Sequence, residues 1–300
     1  MRISNSCSTG LPGRCARTLS ALACALAGCA SAPPAALYAT SANEAAETAS
    51  DAPPVTTTDL VARYNRGERK FDGLALAQAQ LSGATLSSAS FRGANLDGAD
   101  LRAAKLEGSD LSKASLQRAH LEVAHLDNAT LAGANLERAF MIETVLWGAD
   151  LSSAVLDGAR LDEANLEHAD LAGARLRGAS LKTANLGSAS LRGADLERAN
   201  LNAATLGDAD LESANLKGAS LVDTDLGRVY LQGADLSGAL LCRTVLSSTV
   251  ASATLKGARY GKHTRFPPEV AAQSLGAVED PCCDVPDIAT ACGWKRDAPR

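Results

Sequence analysis

The chain has 300 residues, a formal charge of −5 and only 3% aromatic residues, while Ala and Leu dominate. So few large side chains exclude an ordinary aromatic-rich core, and the acidic balance excludes a sequence-wide attraction to nucleic acid phosphates. Length alone admits two domains, but one repeat fills most of the chain, so a single solenoid with appendages is the expectation.

Residues 1–28 carry Arg2, Arg14 and Arg17 and no acid, followed by the apolar run Leu19 to Ala27, too short to span a bilayer. That layout is an export signal. The run ends in Leu26-Ala27-Gly28-Cys29, which resembles the lipobox of bacterial lipoproteins. The resemblance implies cleavage before Cys29, lipidation of its thiol and acylation of the new amino terminus. The competing reading is an ordinary signal cut at a small-residue site such as Ala30-Ser31-Ala32. In these lipoproteins Asp after the Cys marks inner-membrane retention; Ala30 stands here, which implies an outer membrane lipoprotein facing the periplasm or the cell surface. A processed chain holds 26 Lys+Arg against 34 Asp+Glu, or −8. Residues 29–58 begin with the candidate lipidated Cys29 and are rich in Ala, Ser, Thr and Pro. This segment reads as a flexible tether that cannot offset the entropy of ordering.

Residues 59–70 read as a short helical N-terminal cap, with Asp59 as N-cap and Gly67 closing it. Residues 71–260 then carry the repeat. A hydrophobic residue, nearly always Leu, recurs every fifth position through 36 units from Phe71 to Leu246. Calling that position i, i−2 is usually Ala, while i−1 and i+1 are polar. This is the period-2 alternation of a short strand with one buried face. A helix fails, because a Leu every five positions advances by about 140° and smears the apolar residues around the axis. The 14 glycines at i+2, from Gly73 to Gly238, would weaken a helix but suit a corner. Each unit is therefore a minimal strand plus a bend, and only stacking successive coils buries its Leu.

This pattern resembles the pentapeptide-repeat family. The resemblance implies an all-β, right-handed, quadrilateral parallel β-helix with four units per coil. Nine coils at about 4.8 Å per ladder step make a rod of roughly 43 Å. After Leu246 the register slips, the next Leu being Leu255, and Tyr260 to Pro267 resembles a terminal segment common in the family. Residues 261–300 read as a C-terminal capping tail with cysteines.

The outer faces carry no phosphate-binding loop, nucleophile elbow or metalloprotease motif, and no cleft to desolvate a carboxylate pair. No catalytic residue, cofactor or metal site is read. His120 and His125 share adjacent faces with Glu122 nearby but form no convergent ligand set. One region breaks the rule. Phe140, Ile142, Val145 and Trp147 occupy i−1 and i+1, where polar residues are expected, and form a candidate protein-binding patch on two adjoining faces. From Glu122 to Asp170 ten acids surround it against Arg138 and Arg160. The alternative is a bulge, or an edge covered by tether or tail. A second departure, at Val229, Tyr230, Leu240, Cys242 and Val245, reads as covered by the carboxy-terminal segment.

Cys7, Cys15 and Cys24 leave with the signal and Cys29 takes lipid, so Cys242, Cys282, Cys283 and Cys292 remain as candidates for two disulfides, with a zinc site as the competitor. A bridge from Cys242 would staple the tail to the last coils. The functional expectation is a lipid-anchored, non-enzymatic interaction or scaffold protein of the bacterial cell envelope. Its partners would be a membrane through the lipid anchor and an unidentified envelope protein, with no nucleic acid. The alternative implied by the resemblance is a DNA-mimicking, gyrase-binding protein; that requires a cytosolic chain and a sustained acidic face.

Overall fold

The computed structural model describes residues 56–285. The candidate lipidation site Cys29, the signal and almost all of the tether lie outside the described residues, as does Cys292.

Parallel bridges link each i−1 residue to the one 20 positions later, from Lys70↔Ser90 to Ser220↔Leu240. Twenty residues per coil and five per unit make four faces. The strands are shorter than the alternation suggests. Each face contributes one bridged residue, because a β-turn starts immediately after it, with the carbonyl of residue i accepting from the amide of i+3, as in Ala99 N to Leu96 O at 3.0 Å. Only β1 (Asp225–Leu226), β2 (Val245–Leu246), β3 (Arg259–Tyr260) and β4 (Val278–Glu279) reach two residues. The remaining amides of i and i+2 point along the rod. Leu96 N donates to Ser115 O at 2.7 Å and Gly98 N to Gln117 O at 2.8 Å.

The interior is two kinds of column. Leu at i is essentially sealed from solvent throughout, and so is Ala at i−2 from Ala89 onward. Each buried Leu contributes about 1.5–3 kcal/mol, so these columns supply most of the driving force. Where Thr replaces Ala at i−2, its hydroxyl donates to a carbonyl of the preceding coil, as from Thr144 to Leu121 O and from Thr244 to Leu221 O, both at 2.7 Å. The Asp or Asn at i−1 has a backbone role as well. Its side-chain oxygen accepts from the amide of i+1, as Asn95 does from Asp97 at 3.0 Å, satisfying a donor that the coil-to-coil ladder leaves over.

At the amino-terminal end, α1 spans Thr57–Asn65, capped by Thr56, whose hydroxyl accepts from Asp59 N. The helix thus begins two residues before the expected start at Asp59, which sits inside the first turn instead. Leu60 and Tyr64 are buried against the first coil, and Tyr64 OH donates to Ser87 O at 3.0 Å. At the other end the register slip is a 3-10 turn, Ser248–Ser252, which places Val250 in the Leu column after four residues instead of five. The coil therefore closes in 19 residues, with Asp235 bridging Thr254. Ladder pairing continues past Tyr260, through Val245↔Arg265 and the parallel pair β3 and β4.

Candidate functional site

The 20-residue register places the four sequence-marked apolar residues on two adjoining faces of one coil. Phe140 and Ile142 share one face; Val145 and Trp147 share the next. Trp147 is 42% exposed, while Phe140, Ile142 and Val145 are half-buried because each is flanked by its counterparts on neighbouring coils. The Phe140 ring lies flat on His120, centroids 4.7 Å apart and planes 5° from parallel, with the Arg160 guanidinium on its other side at 5.9 Å. Trp147 meets the His168 ring edge-on at 5.8 Å.

A fifth member escaped the sequence reading. Val123, at the corner between the two faces and one coil earlier, is 48% exposed. Its amide donates to Ile142 O at 3.0 Å, which places it directly beside the patch. The signal was present: Val123 occupies i+2, where every residue from Gly73 to Arg243 except Arg228 has a positive φ, and its own φ is 59°. A β-branched residue is poorly suited to that backbone.

Three histidines stand at the edge, each near a carboxylate: His120 Nδ1 is 3.3 Å from Glu122, His125 Nδ1 3.9 Å from Asp127 and His168 Nε2 3.9 Å from Glu167. One coil below His120, Asp100 is held by both arms of the Arg102 guanidinium, and that hydrogen bonding keeps its carboxyl below the usual range. Among the described residues no group of His, Cys, Asp and Glu is arranged to hold a metal ion, and no helix is long and apolar enough to cross a membrane.

The second departure sits under the tail. Leu240, Cys242 and Val222 are buried in a small cluster with Cys283, while Val229 lies inside the rod at i−2 and Val245 is half-buried. Tyr230 alone of this group remains open, at 52%. A disulfide joins Cys242 to Cys283, with Cα atoms 4.9 Å apart, and Cys282 is likewise disulfide-bonded.

The repeat profile described as Pentapeptide repeats matches in 8 copies, over 75–112, 104–148, 146–182, 179–218, 209–247 and 219–258. Among solved structures the chain is similar to HetL, a pentapeptide repeat protein involved in heterocyst differentiation regulation from the cyanobacterium Nostoc. The identity is 30%, over 74% of this chain and 92% of that one, with a TM-score of 0.35. It is similar at 15% identity to full-length QnrB1, a plasmid-mediated fluoroquinolone resistance protein, over 69% of this chain and 94% of that one, TM-score 0.42. A pentapeptide repeat protein of the Arabidopsis thaliana thylakoid lumen is 26% identical over 41% of this chain and 72% of its own, TM-score 0.22. No curated protein matches the chain. With the repeat matched from residue 75 to 258 and the coil closing every 20 residues, the chain belongs to the pentapeptide-repeat family.

Proposed function

We propose that the chain is a non-enzymatic interaction or scaffold protein of the bacterial cell envelope, anchored by lipid on Cys29 and binding a protein partner through the two faces around Trp147. One observation carries this reading: Val123, Phe140, Ile142, Val145 and Trp147 cluster apolar side chains at positions where the repeat usually carries polar ones, and Val123 and Trp147 stand about half open to solvent. Contiguous apolar surface on a solvated rod is unfavourable unless something covers it. The DNA-mimic alternative gains no support from the charge pattern, since Asp157 and Asp195 are paired with Arg175 and Arg177 on neighbouring coils.

Two measurements on one sample test the reading. Mass spectrometry of the amino terminus should find a lipid-modified Cys29, and a photo-crosslinker at position 147 in intact cells should give one dominant protein adduct. An unprocessed cytosolic chain overturns the anchoring, and adducts no different from those of a crosslinker at Ser152, on another face, overturn the binding surface.

A further inference from the structure

Six carboxylates stand in register around the apolar residues. Ile142 lies between Glu122 and Asp162 on the neighbouring coils, Trp147 lies between Asp127 and Glu167, and Glu143 and Glu163 continue the corner column that begins at Val123. Among the described residues none of the six has a Lys or Arg within ion-pair distance. On the other two faces Asp110, Asp157, Asp195, Asp210 and Asp235 are closed by Arg92, Arg175, Arg177, Arg192 and Lys217 respectively, while Asp97, Asp150, Asp170 and Glu197 have no such partner among the described residues; what sets the patch apart is that its open acids surround apolar side chains. Glu122 goes further: its Oε2 is buried with no hydrogen-bond partner among the described residues. Ser180 donates to Asp162 and Asn185 to Glu167, and the titratable side chains that approach the acids are His120, His125 and His168, three of the chain's four histidines.

Within the patch coil and its two neighbours these faces carry the six carboxylates and Arg160, a sum of −5 with neutral histidines and −2 with all three protonated. Arg102, Lys105 and Lys182 lie on the bordering coils of the same two faces, Arg102 already engaged by Asp100. An apolar centre ringed by unneutralised acids selects a partner of complementary charge, because an acidic or merely apolar surface would leave those carboxylates desolvated without compensation.

We propose that the patch docks a cationic segment of its protein partner, with Lys or Arg side chains flanking an apolar residue that packs on Trp147 and Ile142, and that protonation of the three histidines weakens this docking. The proposal rests on the reading of the patch as a protein-binding surface. Imidazole is the side chain that ordinarily changes charge between pH 5 and 8.

The test uses the purified full-length chain and labelled synthetic peptides, followed by fluorescence anisotropy. One peptide alternates Leu and Phe with Lys and Arg; a second replaces the cations with Glu; a third replaces Leu and Phe with Ser. The basic apolar peptide should bind at least about tenfold more tightly than either of the others at pH 7.5. Its affinity should fall severalfold at pH 6.0, and the combined variant His120→Gln, His125→Gln, His168→Gln should lose that pH step. Equal binding of the basic and acidic peptides, no binding of the basic one, or a pH step that survives in the triple variant overturns the proposal. The variant Ile142→Asn, Trp147→Ser separates the two readings. If it binds the basic peptide as tightly as the parent, the patch itself is not the site. If it loses binding while the parent fails to distinguish charge, the patch stands and only the cationic partner is lost.

Discussion

At the residue scale, the corner position i+2 shows how far a local preference can be overridden. Twenty non-glycine residues hold positive φ there, from Gln78 to Arg243. The turn before and the ladder hydrogen bonds after each corner fix the backbone, so Lys, Arg, Glu and Ser accept a conformation that favours Gly. For most of them the cost is modest and the side chain is solvated. Val123 is β-branched, and its φ of 59° stores strain at a site where its exposed side chain returns little packing. Val123→Gly should therefore melt at the same temperature as the parent or a few degrees higher, since about 1 kcal/mol of relief is worth roughly 2–4 °C in a chain of this size. A thermal scan showing a drop of about 5 °C or more would mean the side chain is structural. The buried Leu and Ala columns and the glycine corners were fully legible in the sequence, because each follows from a fixed position in the unit. Val123 was legible too, as a large apolar residue at i+2 where the other units carry Gly, Ala or a polar residue, but the strain it carries shows only against the positive φ.

At the scale of elements, the ends of the rod differ in how much of them could be read. The helix over the first coil was visible from Asp59 as an N-cap acid and Gly67 as its close, but its start was misplaced because Thr56 does the capping. The register slip after Leu246 was equally visible, whereas the compensation was not: a 3-10 turn delivers Val250 to the interior one residue early. The tail docks by close approach. A Cβ on Gly261 would lie 2.6 Å from Cys283 Cβ, so only glycine lets the segment carrying Cys283 reach the last coil. The Cys242–Cys283 bridge then closes a loop of sequence separation 41, which the chain-entropy description values at about 3–4 kcal/mol. Gly261→Ala and, separately, Cys242→Ser should each leave the far-ultraviolet dichroism of the repeat intact. Both should speed proteolysis of the tail and raise binding of a hydrophobic dye to the uncovered Val222 and Leu240. Tail cleavage at the parent rate in both variants would show that the tail is held by other contacts. Coils couple mainly to their neighbours, so damage at this end should not propagate to the patch some five coils away.

For the whole molecule, a period of five specifies stacking but not the number of faces. Four units per coil comes from the family resemblance at the level of sequence and from the 20-residue bridges in the structure. Once that number is known, Phe140, Ile142, Val145 and Trp147 fall on two adjoining faces without further information. The neutralisation pattern around them does not, because ion pairs form between coils at separations of 18 and 20 residues, as in Arg175–Asp157 and Arg243–Asp223, and a list of charges along the chain cannot show which are closed. The central claim is that the patch is carried by the rod and is not part of what holds the rod together. Its most direct test is thermal unfolding of one variant in which each apolar residue is replaced by a residue already found in its own column: Phe140→Ser as at Ser180, Ile142→Asn as at Asn202, Val145→Asn as at Asn165 and Trp147→Ser as at Ser87. The account predicts a cooperative transition within about 5 °C of the parent, since polar residues at these positions are compatible with the same coil. Loss of cooperative unfolding, or a fall of more than about 10 °C, would contradict it by showing that these side chains belong to the fold.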